Sequence, residues 1–367
     1  MKIVVDARFT RTDHHDGISR YGASLIAATA KIADVSMLIS DHRQLALLPD
    51  VPYTLINSPL SPMELFVARK INPLKADVVV CPMQTMGTWG RKYGLVLTLH
   101  DLIYYEHPAP PGFLPAPVRV LWRLYHKAYW PQRLLLNRAD IVATISSTTK
   151  ALMAKYRLTS RPVRIISNAP QPDQEPRDAA AGAEHSLIYM GSFMPYKNVE
   201  TMVAGMAELP DFTLHLLSRI TPQRRAELEI MVPQGAKVVF HNGVTDDEYA
   251  TLLKSATALV SLSRAEGYGL PLVEAMALGT PVIASDIPIF REVGGHAASY
   301  VDPGSAAEFA TAVKKLRDGE HWQDVSRRSV ARAAEFTWDE SARQLVDVAH
   351  DIVAARSGGR KRPTHPA

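Results

Sequence analysis

The sequence has one cysteine, Cys81, which excludes an intrachain disulfide and fits a reducing compartment. No apolar run reaches the roughly 20 residues that a helix needs to cross a bilayer. Positive charge exceeds negative by only 4, too little to point to nucleic acid but enough to favour phosphates or an anionic membrane surface. No Gly-x-Gly-x-x-Gly follows the first strand-like run, which argues against a dinucleotide-binding protein. The opening Met1–Ala7 is too soon interrupted by Asp6 and Arg8 for a signal peptide and reads as a first strand. These absences predict a cytoplasmic protein. What is abundant is apolar content, at 47%, which over 367 residues suffices for two ordinary cores.

Short β-branched runs alternate with longer amphipathic ones, the pattern of an α/β protein. The first half predicts strands at 2–6, 35–39, 77–81, 95–99, 140–145 and 163–166, with helices at 18–33, 117–136 and 148–155. Cys81 follows Val78–Val80 and is expected to be a buried thiol. The segment 171–184 carries no large apolar side chain and reads as a linker. Beyond it, strands at 186–190, 212–217, 237–240, 257–261 and 281–284 alternate with helices at 198–208, 222–231, 246–254 and 271–278. Further helices are expected at 305–316 and 321–334. The expected organisation is a domain over 1–170, the linker, a second domain over 185–337, a returning helix over 338–356 and a disordered basic tail over 357–367. That tail, from Arg360, could touch nucleic acid or anionic lipid, but a solvated chain end is the expectation.

The most informative stretch is Glu266-Gly-Tyr-Gly-Leu-Pro-Leu-Val-Glu274. Gly267 and Gly269 let the backbone turn tightly and approach a ligand, and Pro271 suits the first turn of a helix. A helix starting there presents free amides and a favourable dipole to a diphosphate. Glu266 can accept hydrogen bonds from sugar hydroxyls, and Glu274, expected on the first turn, from a ribose. An acidic loop before an ordinary capped helix is the plainer alternative.

This stretch resembles the signature of the family 4 retaining glycosyltransferases, and the resemblance extends over nearly all of residues 1–355. It implies the GT-B fold, two Rossmann-like domains facing a central cleft, and sugar transfer from a nucleotide diphosphate donor without an essential metal or other cofactor. The resemblance makes Glu266 the donor-sugar contact and Glu274 the ribose contact, with Tyr268 in the same loop and the amides of Leu270 and Leu272 near phosphate. A second match is Tyr189-Met-Gly-Ser-Phe-Met-Pro-Tyr-Lys-Asn198. The family commonly places arginine after that glycine and lysine five residues later, as a diphosphate clamp. Here Lys197 is kept and Ser192 stands in the arginine position. Arg264 could offset the loss or simply face solvent. The loop at Asn242-Gly-Val-Thr implies a base contact near Val244, with the base unspecified. Asp246-Asp-Glu248 reads as a helix cap, and no metal site is expected.

On the acceptor side, Gly17 lies in Gly17-Ile-Ser-Arg-Tyr21, which resembles a family loop that approaches the reacting sugar. That version leans toward enzymes transferring mannose to glycans. His100 ends the run Leu97-Thr-Leu-His-Asp101; it reads as a structural histidine or, by the family's Thr-x-His-Asp segment, as a contact to the donor sugar. Asp101, Tyr104, Arg119 and Arg123 are assigned to the acceptor side. From His107 through Ala139 there is no acidic residue, while five cations interleave with Phe113, Trp122, Tyr125, Tyr129 and Trp130. A core-facing aromatic stripe with a basic edge, or a surface for acceptor or membrane, both fit.

The expected activity is transfer of a hexose, mannose favoured, from GDP-mannose or a UDP-sugar to a glycan or lipid-linked glycan. Peripheral contact with an anionic membrane at its inner face accompanies that reading. Its alternatives are a glucosyltransferase with a soluble acceptor and, because of Ser192, a non-catalytic nucleotide-sugar-binding subunit.

Overall fold

The computed structural model describes residues 1–109, 116–171 and 175–358. Phe113, part of the linker and the basic tail from Gly359 lie outside them. The chain forms two compact units, one of Met1–Asn168 with the segment from Thr337, the other Ala169–Phe336.

The first unit holds β1 (Lys2–Asp6), β2 (Asp34–Ile39), β3 (Tyr53–Leu55), β4 (Val78–Cys81), β5 (Gly94–Leu99), β6 (Ile141–Thr144) and β7 (Val163–Ile165). They form a sheet in the order β3-β2-β1-β4-β5-β6-β7, and every pairing is parallel. β4 and β5 are buried along their whole length, as expected for strands covered on both faces. Cys81 is buried as anticipated, and burial raises its thiol pKa well above the usual range. The Trp338–Gly358 helix completes this unit, with Leu345, Val348 and Ile352 buried. Trp338 packs edge-on against Tyr21, their ring centroids 6.0 Å apart.

The second unit holds β8 (Glu184–Tyr189), β9 (Thr213–Leu216), β10 (Lys237–Phe240), β11 (Ala256–Ser261), β12 (Val282–Ser285) and β13 (Ala298–Val301). The order is β10-β9-β8-β11-β12-β13, again with every pairing parallel. Leu187, Phe212, Leu214, Val260, Phe309 and Trp322 are among its buried core.

Three local features differ from the sequence expectation. The 117–136 helix is two helices, Ala116–Tyr125 and Trp130–Leu136. Pro131 lacks the amide needed in a helix interior and serves instead in the first turn of the second helix. The described part of the 171–184 segment is docked rather than loose: Arg177 N donates to the Leu278 carbonyl at 3.0 Å, and its guanidinium lies 4.6 Å from the Trp322 ring centre. Strands β3 and β13 are too short to show an alternation, and the Pro288–Gly294 helix, though Ile289, Phe290 and Val293 keep a helical spacing, has only 7 residues, too few for a periodicity to stand out.

Candidate functional site

In each sheet the strand order reverses once, between β1 and β4 and between β8 and β11. A parallel sheet leaves a crevice beyond the carboxyl ends of its strands at such a point, because the connections on either side run to opposite faces. In the second unit the loops after β8 and β11 carry the two principal sequence motifs. Lys197 closes a short turn, Pro195–Lys197, and its ammonium group pairs with the Glu266 carboxylate. Both side chains are about five-sixths buried, at 13% and 15% exposure. Glu266 also accepts a hydrogen bond from Ser263 Oγ at 3.3 Å.

Asn198 locks these loops together, and sequence reasoning gave it no role. It occupies the left-handed region at φ 56°, where asparagine is better tolerated than most residues. Its Nδ2 donates to the carbonyls of Leu262 at 2.9 Å and Pro303 at 2.6 Å. Its Oδ1 accepts from Thr201 at 2.9 Å and from Arg264 Nη2 at 3.3 Å. Loops following β8, β11 and β13 therefore meet on one buried amide. The only hint in the sequence was an asparagine just before an apolar helix start.

The glycine-rich turn resolves as a loop before the Leu270–Ala277 helix. Gly269 sits at φ 93°, and a Cβ there would lie 2.8 Å from Phe290 Cε1, so both conformation and space demand glycine. The first helical turn contains Pro271 as expected. Glu274 is the fifth helical residue, on the second turn rather than the first, and is buried. The Leu272 amide donates to the Gly269 carbonyl at 2.9 Å, so of the two amides assigned to phosphate this one is already engaged. Tyr268 is buried with its ring edge toward Phe336 at 6.3 Å, so its side chain belongs to the core of the loop. Gly267 is buried beside it.

Ser192 is exposed, and its carbonyl accepts from the Tyr189 hydroxyl at 2.6 Å. Arg264 is exposed apart from its contact with Asn198. Val244 is half-buried in the loop after β10, next to Asn242 at φ 59° and Gly243 at φ 107°. Glu248 and Thr245 form a reciprocal capping box on the following helix, which accounts for that acidic cluster. No group of three or more metal-ligand side chains occurs among the described residues.

In the first unit, Gly17 opens the Gly17–Ala30 helix, and a Cβ there would meet nothing within 4 Å. The His100 Nε2 lies 2.7 Å from the Pro82 carbonyl, which can only accept, so Nε2 carries the proton and Nδ1 is left as an acceptor. Its ring meets Tyr21 edge-on at 5.1 Å. Burial lowers the His100 pKa below the ordinary imidazole range, partly offset by the Pro82 carbonyl and Asp16. Asp101 Oδ1 accepts from the Ile103 amide at 3.0 Å and so anchors the next turn.

The basic aromatic segment divides its residues between inside and outside. Tyr104 packs against Trp122 at 4.9 Å, and Tyr129 stacks between Tyr105 and Tyr156 at 4.4 and 4.6 Å. Val120, Leu121, Leu124, Trp130 and Leu134 are each more than half exposed. Arg123, Lys127 and Arg133 are exposed among them, while Arg119 is half-buried. The aromatic stripe is thus largely internal, but the aliphatic face and Trp130 are not. No helix among the described residues is long and apolar enough to cross a membrane.

Residues 171–335 match the family described as Glycosyl transferases group 1, and residues 44–174 match Glycosyltransferase Family 4. Over 343 residues the chain is 26% identical to the O-antigen chain mannosyltransferase RfbU of Salmonella typhimurium, covering 90% of this chain and 94% of that protein. Among solved structures, sucrose-phosphate synthase from Thermosynechococcus elongatus superimposes with a TM-score of 0.73 at 21% identity, covering 96% of this chain and 99% of the other. Anabaena HepE in complex with UDP-glucose gives 0.72 at 16% identity, covering 96% and 100%.

Proposed function

We propose that this chain, which has the GT-B fold and is similar to family 4 and mannosyltransferase-like enzymes, is a glycosyltransferase that transfers a hexose with retention of configuration from a nucleotide diphosphate sugar. The observation that carries this reading is the contact between Lys197 and Glu266 at the β8–β11 switch point. A cation and a carboxylate side by side suit a ligand with a phosphate next to a polyol. The lysine takes the leaving diphosphate, whose charge grows as the bond breaks, and Glu266 accepts from the sugar hydroxyls. Glu274 is assigned to the ribose, Leu270 N to phosphate, and the loop at Val244 to the base. Gly17 and His100 are assigned to the reacting face of the sugar, with Nδ1 of His100 accepting from a hydroxyl. Asp101, Tyr104, Arg119 and Arg123 are assigned to the acceptor.

In the proposed step the acceptor hydroxyl oxygen bonds to the anomeric carbon on the face that the diphosphate leaves. The bond from that carbon to the phosphate oxygen breaks, and the hydroxyl proton passes to that leaving oxygen. Glu266 and Glu274 have separate binding duties, so no carboxylate pair flanks the scissile bond as in a retaining hydrolase.

Mannose from GDP-mannose is the favoured donor, supported by the mannosyltransferase named in the full-length match. A glycan or lipid-linked glycan is the proposed acceptor. The exposed aliphatic face and cations of residues 118–134 support contact with an anionic bilayer at its cytoplasmic side. The test is a panel of nucleotide sugars offered with an acceptor-containing extract, with products read by mass, sugar composition and anomeric configuration. Transfer of mannose with retained configuration is expected. Absence of transfer from every donor, or an inverted linkage, overturns the proposal.

A further inference from the structure

Beyond β8 and β11, the carboxyl-end rim of the second sheet continues through the loops after β9 and β10. These loops are tied into one surface. Gly191 N donates to Ser218 Oγ at 3.1 Å, Ile220 N donates to Asn242 Oδ1 at 3.0 Å, and Gly243 N donates to the Leu217 carbonyl at 2.8 Å. Arg219 projects from the middle of this braced turn and is exposed. Its stem lies on Gly243: a Cβ built there would sit 3.1 Å from Arg219 Cγ and 3.5 Å from Nε. Gly243, at φ 107°, therefore leaves the guanidinium a path across the Asn242–Val244 loop that a side chain would obstruct.

Three other cations near this part of the rim each have a partner within the protein. Lys197 pairs with Glu266, Arg264 donates to Asn198, and Arg224 bonds to Glu200, Glu227 and the Phe193 carbonyl. Arg219 makes no ion pair or side-chain hydrogen bond among the described residues. Its five donors are held in a planar fork, on a turn fixed at both flanks.

We propose that Arg219 reads the base of the donor nucleotide and selects guanine. This deepens the donor assignment above and rests on it. With the sugar and phosphates at the β8–β11 crevice, a base placed toward β10 crosses two further strand ends, about 5 Å each. That distance suits a nucleoside diphosphate and ends at the Arg219–Gly243–Val244 rim. Guanine offers two adjacent acceptors, O6 and N7, on one edge, which match two parallel N–H groups of a guanidinium. Uracil has no such adjacent pair, and adenine puts a donor amino group next to N7. Arg219 is thus a specificity residue, with no part in the bond-making step.

The experiment measures binding of GDP, 7-deaza-GDP, UDP and ADP to the full chain, in wild type and in Arg219→Ala and Arg219→Lys. The wild type is expected to favour GDP over UDP and ADP by about tenfold or more, and to lose a similar factor with 7-deaza-GDP. Arg219→Ala is expected to weaken GDP about tenfold, leave UDP nearly unchanged and bind GDP and 7-deaza-GDP alike. Lysine is expected to restore little, because it lacks the planar fork. Equal weakening of GDP and UDP, an unchanged GDP affinity, or a wild-type preference for UDP overturns the inference. A wild type that binds no nucleoside diphosphate instead overturns the donor reading beneath it, so the two failures are separable. Because Arg219 is exposed, unchanged melting of the variants confirms that folding is not what the assay reports.

Discussion

Lys197 and Glu266 stand 69 positions apart in the chain yet share a hydrogen-bonded contact at the β8–β11 switch point. Each lies in a loop that follows a strand whose end is buried, and Asn198 joins those loops through the Leu262 carbonyl. The pair is therefore placed by the sheet and held by one buried amide. Its two members remain partly open, as a site that receives a ligand requires.

Lys197→Ala and Glu266→Gln are each expected to lower kcat/KM by about 10²-fold, the usual loss when one charge-stabilising group is removed. The accompanying loss of stability is expected at about 1–2 kcal/mol, between the values for exposed and fully buried pairs. Initial rates with parallel thermal melting check both numbers. Near-normal turnover in both variants would remove the donor assignment.

The two site glycines should respond differently to the same change. Gly17→Ala meets no atom within 4 Å, so the variant is expected to melt like the wild type while transfer falls. Gly269→Ala must adopt φ 93° and push on Phe290, a destabilisation of about 1–3 kcal/mol. Denaturant midpoints together with activity separate the cases; a destabilised Gly17→Ala would make that residue structural.

Acidification should weaken the fold in part through His100. Its pKa is lowered by burial, so the unfolded chain binds the proton more readily. The stability it contributes is complete above its ordinary pKa of 6.5, declines as pH falls below that value and levels off below the folded pKa. His126 and His215 are also lowered by burial and act in the same direction. His100→Gln is expected to show a smaller fall in melting temperature between pH 7.5 and pH 5.5 than wild type. Parallel pH profiles for the two proteins would exclude His100 as a contributor.

Leu121, Leu124 and Trp130 are expected to insert at an anionic lipid surface, with Arg123, Lys127 and Arg133 meeting its headgroups. Sedimentation with anionic vesicles should retain the protein, neutral vesicles should not, and Leu121→Ser with Leu124→Ser should abolish retention. Equal absence of binding to both vesicle types would reject this surface. Since these leucines are exposed, their replacement is not expected to unfold the protein.

Several elements were legible from local pattern. The buried strand at Val78–Cys81, the helix start at Pro271 and the acidic cap after Thr245 follow from apolar runs, proline's missing amide and capping chemistry. The split at 126–129 was hidden because the apolar positions on both sides keep a helical spacing, and only Pro131 marked the interruption. Strand β3 is three residues with two exposed, so nothing in its composition distinguishes it from a loop.

The order of residues by itself determined two alternating α/β runs, a glycine at position 269 and the types of group available to a ligand. Those properties depend on neighbours within a few positions. Only the tertiary structure decided that Lys197 meets Glu266, that Leu272 N is already bonded, that Tyr268 turns inward and that Arg219 lies over Gly243. Each depends on which strand ends lie side by side and on what fills the space between their loops. Parallel pairing sets that arrangement through contacts distant in the chain, which local periodicity does not encode.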